Sequence, residues 1–167
     1  TAALQCIGVQ EGNSRVAGLY IMMTKKGPFF FSDCTMNVEP TAEELVEITA
    51  LTAKTVRQLN MIPRIAMLSY TNFGSAPGET PSKVAKAVSI LHKDYPGLIV
   101  DGEVQANFAV NNNLLTEQFP FSSLVDKNVN TLIFPNLASG NIAYKLMQEL
   151  GEAEAIGPIL MGMKKPV

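Results

Sequence analysis

The segment 134–145, "FPNLASGNIAYK", combines residue types that can bind an anion. An apolar run ends at a proline, a short polar turn with Gly140 follows, and the residues after the turn are typical of a helix. The first N–H groups of a helix lack partners within it and, with the helix dipole, favour a bound anion. This turn is therefore a candidate binding site. The structural alternative is that Asn136 is a turn residue and that Ser139 or Asn141 caps the helix.

A second turn, "NFGSAPGET" at 72–80, contains two glycines. Its spacing matches neither G-x-G-x-x-G nor G-x-x-x-x-G-K-[ST], so the sequence predicts neither a dinucleotide fingerprint nor a P-loop here. Taken alone, this segment indicates a flexible surface loop.

Acidic residues close two of the predicted strands, where carboxylates could hold a metal ion or act as a base. They are Asp33, and Asp101 with Glu103 two residues on. For Asp101 we favour the alternative that it caps the following helix. The single histidine, His92, falls near the end of a predicted helix, where a cation suits the dipole. One histidine also argues against a zinc site or a Ser-His-Asp triad within the chain.

Two cysteines without a secretory signal indicate a reducing, cytoplasmic environment. They are Cys6 and Cys34, and we expect Cys34 to be a small buried thiol rather than a reactive one.

Lys145 and Lys165 could pair with phosphates, although exposed lysines usually only solvate a surface.

The composition sets limits on size and on partners. The chain has 167 residues, 47% of them hydrophobic, with a formal net charge of -2, which fits one domain. The charge gives no argument for nucleic acid or an anionic membrane, and no apolar run is long enough to span a bilayer. Because the sequence starts at Thr1 without an initiator Met and stops after "MKKPV", we expect it to be a piece of a longer polypeptide.

The first half of the chain predicts a hairpin and two strand–helix units. Apolar runs at 16–23 and 29–33 flank a Gly-Pro turn and indicate an antiparallel hairpin. "TAEE" at 41–44 is a capping box that opens an amphipathic helix. "RIAMLS" is a short apolar strand, and Thr80-Pro81 is expected to cap the next helix and begin it.

The second half continues the alternation. "LIVD" is a strand, "GEVQANFAVNNNLLTEQF" is helical overall, "NTLIF" is a strand before a helix at 141–150, and "EAIGPILMGM" is a strand containing a Gly-Pro turn. Alternating strands and helices predict an α/β fold whose parallel sheet is covered on both faces. In such folds ligands bind at the carboxyl ends of the strands, here the turns "SYTNFGSAPG", "DGEVQ" and "PNLASGN".

Five separated blocks carry a family resemblance. "FFFSDCTMNVEPTAEEL", "RIAMLSYTNFGS", "IVDGEVQANFA", "LIFPNLASGNIAYK" and "GPILMGMKKPV" occur in this order and spacing. Together they resemble the second domain of the phosphate acetyl/butyryl transferases, over residues 1–167. The resemblance implies an isocitrate/isopropylmalate dehydrogenase-like fold: three αβα layers, a mostly parallel sheet and an N-terminal β-hairpin. It also implies an acyl-CoA cleft between two domains, and dimers paired through the second domain.

Two positions suggest one branch of this family. Active transferases usually carry Asp where this sequence has Asn136, and often where it has Asn107. "NFGS", "PNL" and "LMGMKKPV" resemble the C-terminal transferase-like region of large NADP-dependent malic enzymes, oxidoreductases that convert malate to pyruvate. The resemblance then implies a regulatory domain that senses acetyl-CoA, with NADP and a divalent metal bound only in the malic enzyme part of the parent chain.

The alternative is the second domain of a working phosphate acetyltransferase, which converts acetyl-CoA and phosphate to acetyl phosphate and CoA. In that family a Ser-Arg pair and a later Asp follow the "KPV" block, beyond Val167. No residue of this sequence therefore inherits a catalytic role, and we expect the fragment alone to be inactive. A third hypothesis is a dimerisation module with a vestigial cleft.

The resemblance places an acetyl-CoA or acyl phosphate site on the two glycine-containing turns. The candidate ligand-binding residues are Ser69, Thr71, Gly74, Ser75, Asn136, Ser139, Gly140, Asn141 and Lys145. No metal or cofactor site is expected in this chain. The expected partners are the rest of the parent chain and a second copy in a homodimer or higher oligomer. The hairpin at 16–33 would supply that interface, because two strands alone leave apolar side chains such as Tyr20, Met22, Phe29 and Phe31 exposed.

Overall fold

The computed structural model describes residues 6–164, so Lys165 and its predicted phosphate contact lie outside the described residues. The strands are β1 (Ala17–Thr24), β2 (Gly27–Ser32), β3 (Arg64–Leu68), β4 (Ile99–Val104), β5 (Thr131–Ile133) and β6 (Glu154–Met161). The helices used below are α1 (Ala42–Gln58), α2 (Glu79–Asp94), α3 (Ala106–Ala109), α4 (Asn112–Gln118) and α5 (Leu137–Leu150).

The strands form one mixed sheet with the order β4-β3-β5-β2-β1-β6. β2, β3, β4 and β5 run parallel, whereas β1 is antiparallel to both β2 and β6. The predicted hairpin is therefore confirmed, but it is built into the main sheet. The predicted α/β class with a mostly parallel sheet is also confirmed.

Side chains of β3 alternate between two hydrophobic layers, as strand geometry requires. Ile65 and Met67 pack with buried residues of α1 and α2. Ala66 and Leu68 belong to the opposite cluster, which contains Leu115 of α4 and Tyr144 of α5. Helices therefore cover both faces of the sheet, in three layers.

The capping box that opens α1 forms as predicted. The Glu44 N–H donates to the Thr41 hydroxyl at 3.2 Å, and the Thr41 N–H donates to the Glu44 carboxylate at 2.8 Å. The apolar face of the helix, including Leu45, Ile48 and Val56, is buried. Local capping chemistry and burial agree here, which explains why the sequence located this helix correctly.

The predicted start of α2 is wrong by two residues. The helix begins at Glu79 and its N-cap is Gly78, which makes no side-chain hydrogen bond. The Ser82 N–H donates to the Gly78 carbonyl at 3.1 Å and closes the first turn. Thr80 and Pro81 therefore lie inside the first turn, where proline is tolerated because its missing N–H has no helical acceptor.

The single helix predicted for 102–119 is also wrong. β4 continues to Val104, and the residues after it form the short helices α3 and α4. The break lies at Asn111, whose side-chain oxygen accepts the Leu114 N–H at 3.1 Å and caps α4. An asparagine that satisfies the backbone in this way favours a new helix start over a continuous helix.

Two boundaries near the C-terminus differ from the prediction as well. α5 begins at Leu137, four residues before the predicted start. β6 is one continuous strand, and Gly157-Pro158 lies within it, so the predicted turn is absent. β6 pairs only with β1 within the described sheet, and its pairing register shifts between Leu19 and Ile21. An edge strand tolerates proline because one side of it needs no ladder partner.

The four apolar side chains expected to form an interface patch on the hairpin are not left exposed, so the predicted patch is wrong. Met22 and Phe31 are buried in the core. Tyr20 and Phe29 pack against that core, and the Tyr20 ring stacks on Tyr144 with centroids 4.1 Å apart. Neighbouring strands and α5 cover what an isolated hairpin would expose. The dimer itself stays a prediction.

None of the helices within residues 6–164 is both long and apolar enough to cross a membrane.

Candidate functional site

The carboxyl ends of four parallel strands meet at one edge of the sheet, here called the carboxyl edge. In register, Ile133 of β5 pairs with Met67 of β3 and with Ser32 of β2. The segments that follow these strands, 33–37, 69–75 and 134–141, therefore begin side by side. The structure thus brings together the two glycine-containing turns that the sequence predicted as one site.

The loop 69–75 is held in place by a buried carboxylate. Glu103 is only 2% exposed. Its Oε1 accepts the Thr71 hydroxyl at 3.0 Å and the Gly74 N–H at 2.6 Å. These donors of two candidate ligand-binding residues are committed to Glu103, so Thr71 and Gly74 fix the shape of the loop. The sequence missed this role because Glu103 lies 29 and 32 residues away in the chain.

Other contacts complete the loop. The Asn72 side-chain oxygen accepts the Gln105 N–H at 2.8 Å, and the Asn72 N–H donates to the Ser75 hydroxyl oxygen at 3.1 Å. The Ser75 side chain is exposed and keeps a hydroxyl proton for another acceptor. The Ser69 Oγ is buried and has no partner among the described contacts. Ser69 and Ser75 therefore keep hydrogen-bonding capacity at this loop.

Asp33 organises the segment after β2 in the same manner. It is 3% exposed, and its carboxylate accepts hydrogen bonds from the backbone N–H groups of Gly18, Thr35, Met36 and Asn37 and from the Asn37 side chain. A carboxylate with five donors is a structural centre. Within residues 6–164 no group of three or more His, Cys, Asp or Glu residues could hold a metal ion.

The predicted helix cap at Asp101 is wrong. Asp101 lies within β4, and the cap of the following helix, α3, is Gln105. The Asp101 carboxylate instead accepts the Ser122 hydroxyl at 2.8 Å and the Ser123 N–H at 2.9 Å. His92 lies in the last turn of α2, as predicted.

The N-terminus of α5 offers fewer free donors than predicted. The N-cap is Asn136, whose Oδ1 accepts the Ser139 N–H at 3.0 Å, so neither Ser139 nor Asn141 is the cap. The Leu137 N–H donates to the Val38 carbonyl at 3.0 Å, and the Gly140 N–H donates weakly to the Asn136 carbonyl at 3.4 Å. The remaining N–H of the first turn is that of Ala138, an exposed residue.

Gly140 allows α5 to approach the segment after β2. A Cβ at this position would lie 2.6 Å from the Asp33 carbonyl oxygen and 3.1 Å from the Cys34 sulfur. The Asn141 amide, one residue on, lies 3.4 Å from the Cys34 carbonyl oxygen.

Cys34 is buried, as predicted, and burial together with the Asp33 charge raises the pKa of its thiol far above the ordinary value. Cys34 therefore stays protonated, whereas Cys6 is exposed.

Lys145 lies one helical turn after Asn141 on the same helix, farther from the start of α5 than the other candidate residues there. It is exposed, and its ammonium group is 5.9 Å from the centre of the Tyr144 ring. Eight residues separate it from Leu137, about 12 Å along a helix axis. The structure therefore does not bring Lys145 to the start of α5.

The sequence missed Lys83. Its side chain is 16% exposed, and its ammonium group donates to the Pro135 carbonyl at 2.9 Å and lies 3.3 Å from the Glu39 carboxylate. This lysine connects α2 to the turn before α5. No sequence signal separates it from Lys86, which pairs with Glu43 at the surface.

Buried polar atoms without a described partner also lie near the carboxyl edge. They are Arg15 Nε and the hydroxyl oxygens of Ser32, Thr35 and Ser69. Arg15 belongs here because it precedes β1, which is antiparallel to β2. Such atoms are rare in proteins, so their concentration marks this edge as a functional candidate.

Comparisons with known proteins agree over the whole chain. The model of the phosphate acetyl/butaryl transferase family matches residues 1–167. Phosphate acetyltransferase from Clostridium acetobutylicum is 42% identical over 98% of this chain and 51% of its own length. The Bacillus subtilis enzyme of the same name is 39% identical over 99% of this chain and 51% of its own. A phosphotransacetylase structure from Streptococcus pyogenes superposes with a TM-score of 0.91 at 41% identity, covering 99% of this chain and 50% of that one.

The chain thus spans about half the length of these relatives. The relatives correct one prediction: they are phosphate acetyltransferases and not malic enzymes, so the assignment to a regulatory domain of an NADP-dependent malic enzyme is contradicted. The structure shows why Asn136 misled, since asparagine serves as a helix N-cap about as well as aspartate. With the family model matching every residue, the chain belongs to the phosphate acetyl/butaryl transferase family.

Proposed function

We propose that this chain forms one domain of a phosphate acetyltransferase, which transfers an acetyl group between CoA and inorganic phosphate, and that its carboxyl edge contacts the acyl ligand. The observation that carries the proposal is the 42% identity to a phosphate acetyltransferase over 98% of the chain. A match along nearly the whole chain supports a shared function better than an isolated motif does.

The geometry of the carboxyl edge supports this placement. Hydrogen-bond donors that remain available there include the Ala138 N–H, the Ser75 hydroxyl, and the second N–H of the Asn141 side-chain amide. They suit the carbonyl and phosphate oxygens of an acyl donor or an acyl phosphate, because these oxygens accept hydrogen bonds. The backbone behind them is fixed by Asp33 and Glu103, which preorganises the donors.

Positive charge is scarcer at this edge than hydrogen-bond donors. Arg15 is paired with Glu44, and Lys83 is paired with Glu39. A phosphate that binds here must compete with these carboxylates or receive positive charge from outside the described residues. We therefore propose that the carboxyl edge orients the ligand and that this chain alone binds it weakly.

A chimera tests the function directly. This chain replaces the matching segment of the Clostridium acetobutylicum enzyme, and acetyl phosphate formation from acetyl-CoA and phosphate is measured. We expect activity within about 100-fold of the unaltered enzyme, a loss of less than about 3 kcal/mol in transition-state stabilisation. A folded chimera without activity contradicts the proposal and favours a domain whose cleft is vestigial.

Two substitutions in the chimera test the placement of the ligand. Asn141→Ala removes a hydrogen-bonding group at the start of α5, and we expect the KM for acetyl-CoA to rise about 10-fold, since hydrogen bonds to charged groups contribute about 1.5–3 kcal/mol. Lys145→Ala is the matched control on the same helix, and we expect an unchanged KM. An unchanged KM for Asn141→Ala would show that the start of α5 does not contact the ligand, and an equal rise in both variants would show that the effect is not specific to Asn141.

A further inference from the structure

The opposite edge of the sheet, here called the amino edge, borders a cavity of about 640 Å³. Its lining includes Lys26 in the hairpin turn, Phe29 near the start of β2, Arg64 at the start of β3 and Asn130 just before β5. Because these strands are parallel, the cavity lies a full strand length away from the loops of the carboxyl edge. Its volume is that of a small-molecule site.

The charges along this cavity are of one sign. Lys26 and Arg64 line it, and none of the described lining residues is acidic. The Arg64 Nε donates to the Asn128 carbonyl at 2.7 Å, which orients the guanidinium group. Its Nη1 makes only a long contact of 3.4 Å with the Ile62 carbonyl. The outer edge of the guanidinium group is thus available to an anion.

The cavity also presents side-chain amides. Five asparagines line it, and three of them are committed to other groups: Asn111 to the Leu114 N–H, Asn112 to Asp126, and Asn130 to Arg64, Ile62 and Thr131. Asn113 and Asn128 make no side-chain hydrogen bond among the described contacts. An asparagine amide offers a donor and an acceptor together, the pattern that pairs with the edge of a purine base.

The remaining walls are apolar. They are formed by Phe29, Met61, Leu115, Leu124 and Val129, among others. The cavity therefore combines cations, free amides and apolar walls within one volume. These features fit a ligand with an anionic group, a polar-edged ring and a flat apolar body.

From these features we propose that the amino edge carries a second binding site, separate from the acyl site, and that this site takes a nucleoside monophosphate. The phosphate lies against Arg64 and Lys26, and the base lies between the apolar walls and the amides of Asn113 and Asn128. The proposal does not depend on the acetyltransferase function, because none of these residues belongs to the carboxyl edge.

Titration calorimetry and amide-resolved NMR on the protein test the site with AMP as the probe. Adenosine and inorganic phosphate serve as half-ligands. We expect saturable AMP binding, at least about 10-fold tighter than either half, because both parts of the nucleotide contribute. The side-chain amide signals of Asn113 and Asn128 should shift, and that of Asn141 should not.

Charge substitutions provide the second arm. Arg64→Gln should raise the AMP dissociation constant about 10-fold or more. Lys26→Ala should have a smaller effect, a several-fold rise, because solvent screens the exposed ammonium group of Lys26. Lys25→Ala is the matched control: it removes the same charge from the same turn, but its side chain is 91% exposed and does not line the cavity. Absence of saturable AMP binding, shifts confined to residues 136–141, or equal effects of Lys25→Ala and Arg64→Gln would each overturn the proposal.

Discussion

The two edges of the sheet use polar residues in opposite ways. At the carboxyl edge, the buried carboxylates of Asp33 and Glu103 take up donors from three neighbouring segments. At the amino edge, Arg64 and Lys26 face a cavity that no described acidic residue lines. The first arrangement fixes the shape of loops, whereas the second leaves charge available. The edge proposed to contact the acyl ligand and the edge that borders the cavity are therefore opposite edges of the sheet.

Burial explains this difference. A buried carboxylate needs several donors to offset the loss of water, and backbone N–H groups of adjacent loops supply them at the carboxyl edge. An exposed cation such as Lys26 at the rim of a cavity keeps its hydration and needs no partner. Removing a charged group should consequently cost stability at the carboxyl edge and have little effect on stability at the amino edge.

The largest effect is expected for Asp33→Ala. The substitution removes the acceptor of five hydrogen bonds and leaves buried N–H groups unpaired, so the free energy of unfolding should fall by at least about 3 kcal/mol. Urea denaturation measures it. Asp94→Ala, which removes an exposed carboxylate at the end of α2, should change stability by less than about 0.5 kcal/mol. Similar losses for both variants would contradict the structural role of Asp33.

Gly140→Ala comes next. The added methyl group would lie 2.6 Å from the Asp33 carbonyl oxygen, so α5 must move away from the segment after β2. Overpacking of this kind costs about 1–3 kcal/mol, measured as a lower denaturation midpoint. Gly97→Ala is the control, because nothing lies within 4 Å of its Cβ position. If the two variants were equally stable, the close approach of α5 would not be needed for the fold.

A smaller, pH-dependent effect is expected at Tyr20. Burial and the neighbouring Tyr144 hydroxyl raise the pKa of Tyr20 from 10.0 to about 12. Because the fold favours the protonated phenol, this contribution to stability is complete below pH 10 and is lost as the pH rises towards 12. Tyr20→Phe should therefore lose less stability than the wild type between pH 10 and 12, in denaturation experiments at each pH. Parallel pH profiles of the two proteins would refute the assignment.

The sequence predicted the elements whose signals are local. The capping box of α1 and the apolar runs of the hairpin needed only neighbouring residues. The start of α5 also has a local signal, the Asn136 side chain that accepts the Ser139 N–H, whereas α2 begins after Gly78, which has no side chain to cap the helix. The helix predicted through Glu103 failed because Glu103 is buried in β4 and bonded to a distant loop. Periodicity does not reveal such a contact.

The same limit applies to the candidate site. Alternating strands and helices predicted the carboxyl edge and its two glycine-containing turns, because this is a property of α/β topology. The third predicted turn, "DGEVQ", is wrong, since most of it belongs to β4. Which donors are free could not be predicted, since Thr71 and Gly74 are bonded to a residue about 30 positions away. The amino-edge cavity had no sequence signal, because its lining comes from five separate parts of the chain.

The last comparison makes one substitution, asparagine to alanine, at both edges of the sheet. It includes the smallest expected change in stability. Asn72→Ala at the carboxyl edge removes a buried acceptor from the Gln105 N–H, which costs about 1–3 kcal/mol. Asn113→Ala at the amino edge removes an exposed amide without a described partner and should change stability by less than about 0.5 kcal/mol.

Asn111→Ala is the third variant. Asn111 also lines the cavity, but its side chain caps α4, so its substitution should cost about 1 kcal/mol through loss of the cap. Denaturation curves for the three variants provide the test. If Asn113→Ala were as destabilising as Asn72→Ala, its amide would be a structural group, and the amino edge would be closed by internal hydrogen bonds as the carboxyl edge is. If only Asn72→Ala and Asn111→Ala reduce stability, the amide of Asn113 is free to bind a ligand, since a group that does not stabilise the fold can form a new hydrogen bond without breaking one.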